Sequence, residues 1–330
     1  MKKELIRIDI SGMSREEWLQ ERRKGIGGSD AAAILGLSKW QSPTSLYMDK
    51  LGLLPEQEET EALRVGRDLE QYVADRFTEV SGIKTRKCNF LLKDPEYPFL
   101  HANVDRELVG MDAGLECKTA SAFKTKIYEG GEFPDNYYCQ CVHYLSVTGK
   151  TTWFLAVLVL GIGFKVYCIT RDMDYVAPDW CESCVYVEEE EITTLRKSEV
   201  DFWRCYIIPK SPPPLDGSAA TTDALNAVQS ETSEDGTCDL LGCERLLEVY
   251  LQITSDIASL ETEREKVKQA LMQEMGSFTH GECEGYSVSY KPQTRTTFDW
   301  KLFKRENPHF DLAPYFKSSN SRPLKVTALK

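Results

Sequence analysis

Glu116 and Lys118 flank Cys117 in the segment Gly114-Leu115-Glu116-Cys117-Lys118, and Glu116 stands eleven residues after Asp105. Side chains alternate across a strand, so Glu116 and Lys118 project from one side. Glu and Asp can hold a hard divalent cation, while an ammonium beside them steers a water and offsets charge on a phosphate. That is the chemistry of phosphodiester hydrolysis. Taken alone, the same spacing also describes a solvated hairpin edge, so the neighbouring residues decide.

Three further groups have the right chemistry. Glu70 lies in Gly66-Arg67-Asp68-Leu69-Glu70, inside a helical pattern with Leu63, Leu69, Val73 and Phe77 as apolar positions; alone it reads as a surface carboxylate. Gln140 and Tyr144 are one helical turn apart on one face. They could serve a site, or Gln140 could satisfy a buried polar group where the helix packs on a sheet. Gly25-Ile26-Gly27-Gly28-Ser29-Asp30 could let backbone approach a phosphate at a helix N-terminus. It is not a Walker A loop, because no Gly-Lys-Ser/Thr follows, and the sequence shows no apolar strand before it for a dinucleotide fingerprint.

The elements that must position these residues follow from periodicity and punctuation. Ser14–Arg23 reads as a helix with a capping box from Ser14 and Glu17. Ala31–Leu35, Thr44–Leu51 and Ala62–Val80 read as helices, the last two stopped by Gly52 and Ser81-Gly82. Residues 84–92, 99–109 and 113–118 read as strands. Helices are expected over Ala122–Glu129 and Asp135–Val147, and an apolar hairpin over Thr151–Leu160 and Phe164–Thr170. Arg171–Ile207 reads as a long helix interrupted near Pro178. The order implies an α/β core with a central mixed sheet. Residues 1–210 are assigned to that core and 211–239, rich in Pro, Ser, Thr, Ala and Asp, to a linker or insertion.

Residues 240–330 are read as a long helix and a small basic α+β module. Leu246, Tyr250, Ile253, Ile257, Leu260, Val267 and Leu271 follow heptad spacing, with Arg264 in the seam. That seam predicts an intrachain helical hairpin, with self-association or a partner helix as the alternatives. Gly285–Thr297 reads as a strand pair. Residues 285–330 carry nine Lys/Arg against three acids, so +6 sits here and −18 on the rest of a chain whose net charge is −12. Overall acidity argues against non-specific coating of nucleic acid but not against a local channel.

The hydrophobic fraction of 42% and charged fraction of 28% are those of a globular protein. No apolar run is long enough to span a membrane, and the N-terminus shows no signal-peptide pattern. The eleven scattered cysteines then read as reduced thiols in a cytoplasmic protein. Cys181-x-x-Cys184, with Cys168 and Cys205 nearby, admits a zinc or iron–sulfur site as the alternative to packed thiols.

Together and in this order the motifs are specific. Arg22-Arg23-Lys24-Gly25-Ile26-Gly27-Gly28-Ser29-Asp30-Ala31-Ala32-Ala33-Ile34-Leu35-Gly36, Gly66–Glu70, Asp105, Gly114–Lys118 and Gln140-x-x-x-Tyr144 strongly resemble the motifs of the YqaJ-type viral recombinase family. These proteins are relatives of the phage lambda exonuclease in the restriction-endonuclease-like superfamily. The resemblance covers roughly residues 15–170 and extends more loosely beyond. It implies a restriction-endonuclease-like fold and metal-dependent digestion of linear duplex DNA from the 5′ end, in phage or prophage recombination.

The resemblance also implies roles. Asp105, Glu116 and the Cys117 carbonyl would hold Mg²⁺, with Mn²⁺ as a substitute, and Glu70 would hold it directly or through water. Lys118 would position or deprotonate the attacking water, Gln140 would orient Lys118 or the water, and Tyr144 would pack behind. Arg23 and Ser29 would hold a DNA 5′-phosphate, with Arg22 as the rival arginine. The implied partners are duplex DNA ends, a single-strand annealing protein and further copies of the chain in a ring. Arg106 departs from the glycine often found after the metal-binding Asp, and would either crowd the turn or reach a phosphate. The alternatives are a CRISPR- or repair-associated nuclease with a metal cluster, and a catalytically idle scaffold that binds DNA ends.

Overall fold

A computed structural model describes residues 4–56, 59–228, 237–311, 313–317 and 324–327. The chain divides into two units, Met1–Thr232 and Ser233–Lys330.

The first unit opens with strand β1 (Ile6–Asp9) and helix α1 (Arg15–Arg23). The Ser14 hydroxyl accepts from the Glu17 amide at 3.2 Å while the Glu17 carboxylate accepts from the Ser14 amide at 2.8 Å, the expected capping box. Helices α2 (Gly28–Ile34), α3 (Pro43–Lys50) and α4 (Glu61–Ser81) follow, and α4 stops at Gly82 with φ +72°. Strands β2 (Thr85–Lys87), β3 (Phe90–Lys93), β4 (His101–Asn103), β5 (Arg106–Leu108) and β6 (Ala113–Ala120) lead to a 3₁₀ segment over Ala122–Tyr128. Then come α5 (Asp135–Thr148), β7 (Thr152–Val159), β8 (Gly163–Thr170), β9 (Ser183–Tyr186), α6 (Glu189–Phe202) and α7 (Ala219–Val228).

Six strands form the main sheet in the order β2-β5-β6-β7-β8-β9. The β6–β7 and β8–β9 pairs are parallel and the others antiparallel, so the sheet is mixed as expected. Strand β7 reads as an unbroken apolar run because both its faces are covered. Phe154 and Ala156 pack with Val73, Ala74 and Phe77 of α4. Trp153, Leu155 and Val157 belong to the larger cluster that contains Val142, Tyr144 and Leu145 of α5. A second, antiparallel sheet has the order β1-β3-β4.

Several expectations are corrected. Arg171–Ile207 is not one interrupted helix: Cys184 and Val185 pair with Cys168 and Ile169 as strand β9, and only Glu189–Phe202 is α-helical, running into a π-helical turn over Trp203–Ile207. Val185, Tyr186 and Val187 suit a strand, and the open edge of β8 gives them a partner. Strand β1, missed in the sequence although Ile6-Arg7-Ile8-Asp9 alternates, pairs antiparallel with β3. The expected linker contains α7, which docks on α3 with Thr221 Oγ1 donating to Ser42 Oγ at 2.7 Å. Residues 229–236 of that linker, and the basic residues Arg322 and Lys330, lie outside the described residues.

The second unit contains α8 (Glu244–Met275), the hairpin β10 (His280–Cys283) and β11 (Tyr286–Ser289), and α9 (Trp300–Glu306). Helix α8 has 32 residues, close to the expected length. None of its residues is buried, so the helical hairpin expected from its seam is not formed among the described residues. The strand pair sits earlier than the expected Gly285–Thr297, because Glu284-Gly285, with Gly285 at φ +80°, forms the turn rather than the start.

One buried charge pair ties the first unit together. His143 of α5 sets Nδ1 2.6 Å from Glu199 Oε1 of α6 and Nε2 2.7 Å from the His101 carbonyl of β4. Both partners are acceptors when Glu199 is ionised, so the imidazole carries both protons. Burial opposes that charge, but Glu199, its hydrogen bond, the His101 carbonyl and the more distant Asp30 of α2 outweigh it and raise the His143 pKa above its ordinary 6.5. A raised histidine adds stability that is complete below the unfolded-state pKa and is lost as pH climbs through the folded-state value. The urea midpoint of the protein is therefore expected to fall as pH rises from about 6, with a shallower fall in Glu199→Gln. Parallel curves for the two proteins would contradict this.

Candidate functional site

Strand β6 carries the chemistry. Ala113 and Leu115 pack toward α4 with Val73 and Phe77, and Cys117 joins the same cluster. Alternation therefore turns Glu116 and Lys118 to the opposite face, toward α5. There the Lys118 ammonium donates to Glu116 Oε1 at 2.6 Å, and the Gln140 amide donates to the same oxygen at 2.7 Å. Gln140 also donates to the Tyr144 hydroxyl at 2.8 Å, which donates in turn to the Asn103 carbonyl at 3.0 Å.

Asp105 joins this group because β5 is short. Its ladder with β6 runs over Arg106–Leu115 and Glu107–Gly114. The next β6 amide on that side, that of Cys117, donates instead to Asp105 Oδ2 at 2.8 Å. The N–H and C=O of one strand residue point the same way, so the Cys117 carbonyl also faces the Asp105 side.

Arg106 neither crowds the turn nor stands free for a phosphate. It is 2% exposed, and its guanidinium donates to Glu70 Oε1 at 2.5 Å, Gln71 Oε1 at 3.0 Å and the Asp105 carbonyl at 2.7 Å. Glu70 is thus held on α4 by an arginine rather than hydrogen-bonded to the β6 cluster, although its charge acts on Asp105.

The cluster has surplus negative charge. Burial first, and then Glu116, push the Asp105 carboxyl well above its ordinary range. Burial disfavours the Lys118 ammonium, but Glu116 and Asp105 outweigh it and raise the Lys118 pKa. Glu116 Oε2 is buried without a hydrogen-bond partner in the described structure. Two carboxylates and a backbone carbonyl are hard oxygen donors, and an unmatched buried oxygen among them fits a divalent cation. Among the described residues no three His, Cys, Asp or Glu side chains gather closely enough to complete a metal shell.

The glycine-rich loop forms the other wall. Ile26 donates to the Phe99 carbonyl at 2.6 Å and accepts from the His101 amide at 2.7 Å, which pins the loop beside β4. A Cβ on Gly25 would stand 2.3 Å from the Phe99 carbonyl oxygen, and one on Gly28 would meet Tyr144 at 2.8 Å and Gln140 at 2.9 Å. Only glycine lets the loop lie this close to Phe99 at position 25 and to α5 at position 28. Arg22 Nη2 donates to Ser29 Oγ at 2.6 Å, and both residues line a cleft of about 190 Å³ with Asp105, Glu116, Gln140 and Tyr144. Arg23 points elsewhere, to Asp49 Oδ1 at 3.4 Å. The structure thus brings Arg22, not Arg23, together with Ser29.

Two supporting residues were not legible in the sequence. Asp30, 1% exposed, accepts from Lys50 at 2.6 Å and from the Gly27 amide at 2.8 Å, while Lys50 also reaches the Arg22 carbonyl at 3.4 Å. Burial opposes the Asp30 charge, but Lys50 and Arg22 outweigh it and hold its pKa low. Lys50 looks like an ordinary cation in the last turn of a helix, and its partner is twenty residues away.

Three of the cysteines, Cys168, Cys181 and Cys184, lie together. They belong with the cluster behind α4, and burial pushes the Cys181 thiol up to about 12 and raises those of Cys168 and Cys184. Cys205 lies exposed on the π-helical turn.

Removing one partner of a buried ion pair leaves the other exposed to the desolvation cost. Arg106→Ala and Glu70→Gln are expected to be non-additive, with a coupling of about 1 kcal/mol or more in urea unfolding. Additive effects would show that Arg106 does not hold Glu70.

Comparison with known proteins gives three findings. Residues 17–151 match the family model of the YqaJ-like viral recombinase domain. The chain is 38% identical over 302 residues to the uncharacterized protein YqaJ of Bacillus subtilis (strain 168), covering 90% of each. Among solved structures it is similar to the alkaline exonuclease LHK-Exo of Laribacter hongkongensis, at 17% identity and TM-score 0.46 over 59% of this chain and 97% of that one. A second structure, LHK-Exo in complex with dAMP, matches at 15% identity and TM-score 0.48, over 59% of this chain and 93% of that one. Near-full-length identity to the B. subtilis protein and the matched domain agree: the chain belongs to the YqaJ-like viral recombinase family.

Proposed function

We propose that this protein is a Mg²⁺-dependent nuclease that digests linear double-stranded DNA from the 5′ end. The observation that carries the reading is one cleft with Asp105, Glu116 and Gln140 at one part of its wall and the Arg22–Ser29 pair at another. Acidic oxygens suit a divalent cation on the scissile phosphate, and an arginine with a serine hydroxyl suits a terminal phosphate. A grip on a chain end favours exonuclease over endonuclease action.

When bound, the cation would supply Lewis acidity to the phosphate and lower the pKa of water nearby. Asp105, Glu116 and the Cys117 carbonyl would hold it, and Glu70, tethered by Arg106, would support it from α4. Lys118 carries its proton in the described structure, held charged by Glu116 and Asp105. In that form it donates to a water or a phosphate oxygen and offsets developing negative charge. Neutralising the same two carboxylates would weaken their hold on the ammonium and make Lys118 a better base. Gln140 fixes the orientation of Glu116, and Tyr144 fixes Gln140 against β4.

The reading extends to a phage or prophage protein in the cytoplasm of a bacterial host. Its single-stranded product would pass to an annealing protein, and the chain would act as a homo-oligomeric ring. The metal-cluster alternative has Cys168, Cys181 and Cys184 together, but Cys205 lies exposed on the π-helical turn. The idle-scaffold alternative does not account for Lys118 and Gln140 converging on one oxygen of Glu116 beside Asp105.

The test is digestion of linear and closed-circular duplex, with 5′-phosphate or 5′-hydroxyl ends, in Mg²⁺ or EDTA. Mg²⁺-dependent loss of the phosphorylated strand from linear DNA is expected. Arg22→Ala should reduce the preference for 5′-phosphate about tenfold or more, as loss of a charge-assisted pair does, and Arg23→Ala should change it little. Equal attack on circles would overturn the exonuclease reading, and loss of preference only in Arg23→Ala would overturn the assignment of Arg22.

A further inference from the structure

The second unit has a composition and surface unlike the first. Between residues 298 and 316 six aromatic rings gather on and around α9: Phe298, Trp300, Phe303, Phe310, Tyr315 and Phe316. They touch one another, with Trp300 and Phe316 stacked at 6.0 Å and 23°, and Phe310 and Tyr315 at 6.0 Å and 24°. Mutual contact does not bury them: Phe298 remains 60% exposed, Trp300 46%, Tyr315 74% and Phe316 64%.

Cations are interleaved with the rings. Lys301, Lys304, Arg305 and Lys317 are exposed. Among the described residues none of these four forms an ion pair, whereas most arginines of the first unit do. Two of the three local acids are committed to backbone: Asp299 accepts from the Leu302 amide and Asp311 from the Ala313 amide, each at 2.9 Å. These four cations form no ion pair among the described residues and lie beside open aromatic faces, although Asp299, Glu306 and Asp311 leave residues 298–317 with a net charge of only +1.

From this juxtaposition we infer that the α9 module is a binding platform for single-stranded nucleic acid. Cations alone would serve any polyanion. Exposed ring faces select unpaired bases, because bases in a duplex are already stacked on one another while those of a single strand are free to stack on protein. Residues 285–330, which include α9, carry +6 against −18 on the rest of the chain, so phosphate is directed to this stretch rather than to a general coat. The inference rests on the nuclease reading only for the source of the strand, the product left when one strand of a duplex is digested.

The test uses the full-length protein in EDTA, so that nothing is cut, and a fluorescent oligothymidylate of about 16 nucleotides followed by anisotropy. Trp300→Ala, and separately Lys301→Glu with Lys304→Glu, should each weaken binding about tenfold or more, since base stacking and phosphate contacts have that weight. The lysine variant should also flatten the salt dependence, by about 0.7 in log–log slope for each phosphate it no longer neutralises. Its two positions are exposed, so weakened binding there cannot be put down to misfolding. Digestion of a short duplex in Mg²⁺ should be unchanged in both variants. Unchanged oligothymidylate affinity would overturn the platform, as would a loss confined to duplex or to anionic phosphatidylserine vesicles. A wild-type protein that binds the oligonucleotide but digests no duplex would sink the nuclease reading and leave the platform standing.

Discussion

The site depends on one constraint: Glu116 is a carboxylate buried on a strand packed from both sides. Such a group is costly unless donors reach it. Lys118 and Gln140 converge on Oε1, and that pair of bonds sets much else. Gln140 must face β6, which fixes the rotation of α5 and places Tyr144 against the Asn103 carbonyl. The same helix offers Tyr144 and Gln140 as the surface on which Gly28 lies, so the loop with Ser29 inherits its position from the catalytic strand.

Asp105 brings a second carboxylate to this pair, and the sheet separates charges around it. On one side of β6, facing α4, Arg106 neutralises Glu70 and caps the Asp105 carbonyl. On the other side Lys118 alone faces the two carboxylates. The imbalance is local, and it is where a divalent cation would be most strongly favoured. Around the phosphate end the logic reverses. Asp30 and Lys50 neutralise each other in the interior while holding the backbone of Gly27 and Arg22, which leaves the Arg22 guanidinium partly exposed in the cleft.

Much of this was legible because it is local. The alternation at Glu116 and Lys118, the Ser14–Glu17 capping box, the one-turn spacing of Gln140 and Tyr144 and the apolar run of β7 are each set within a few residues. What failed was decided by partners far along the chain. Strand β9 depends on the open edge of β8, and α7 depends on α3. Arg22 and Arg23 are adjacent in sequence, and their partners distinguish them: Ser29 and Asp30 for Arg22, Asp49 for Arg23. The role of Arg106 was misjudged because its partner is a turn of α4 on the far side of the sheet. The heptad seam of α8 was read correctly as a helix, but its periodicity does not say what covers it.

The nuclease reading rests on the claim that the β5–β6 carboxylates form a divalent-cation centre. Calorimetric titration of Mn²⁺ into the full-length protein tests that claim without reference to any substrate. Saturable binding to the wild type, abolished in Asp105→Asn and in Glu116→Gln and retained in Cys181→Ser, is the predicted result. Equal binding by the wild type and both carboxylate variants would contradict it.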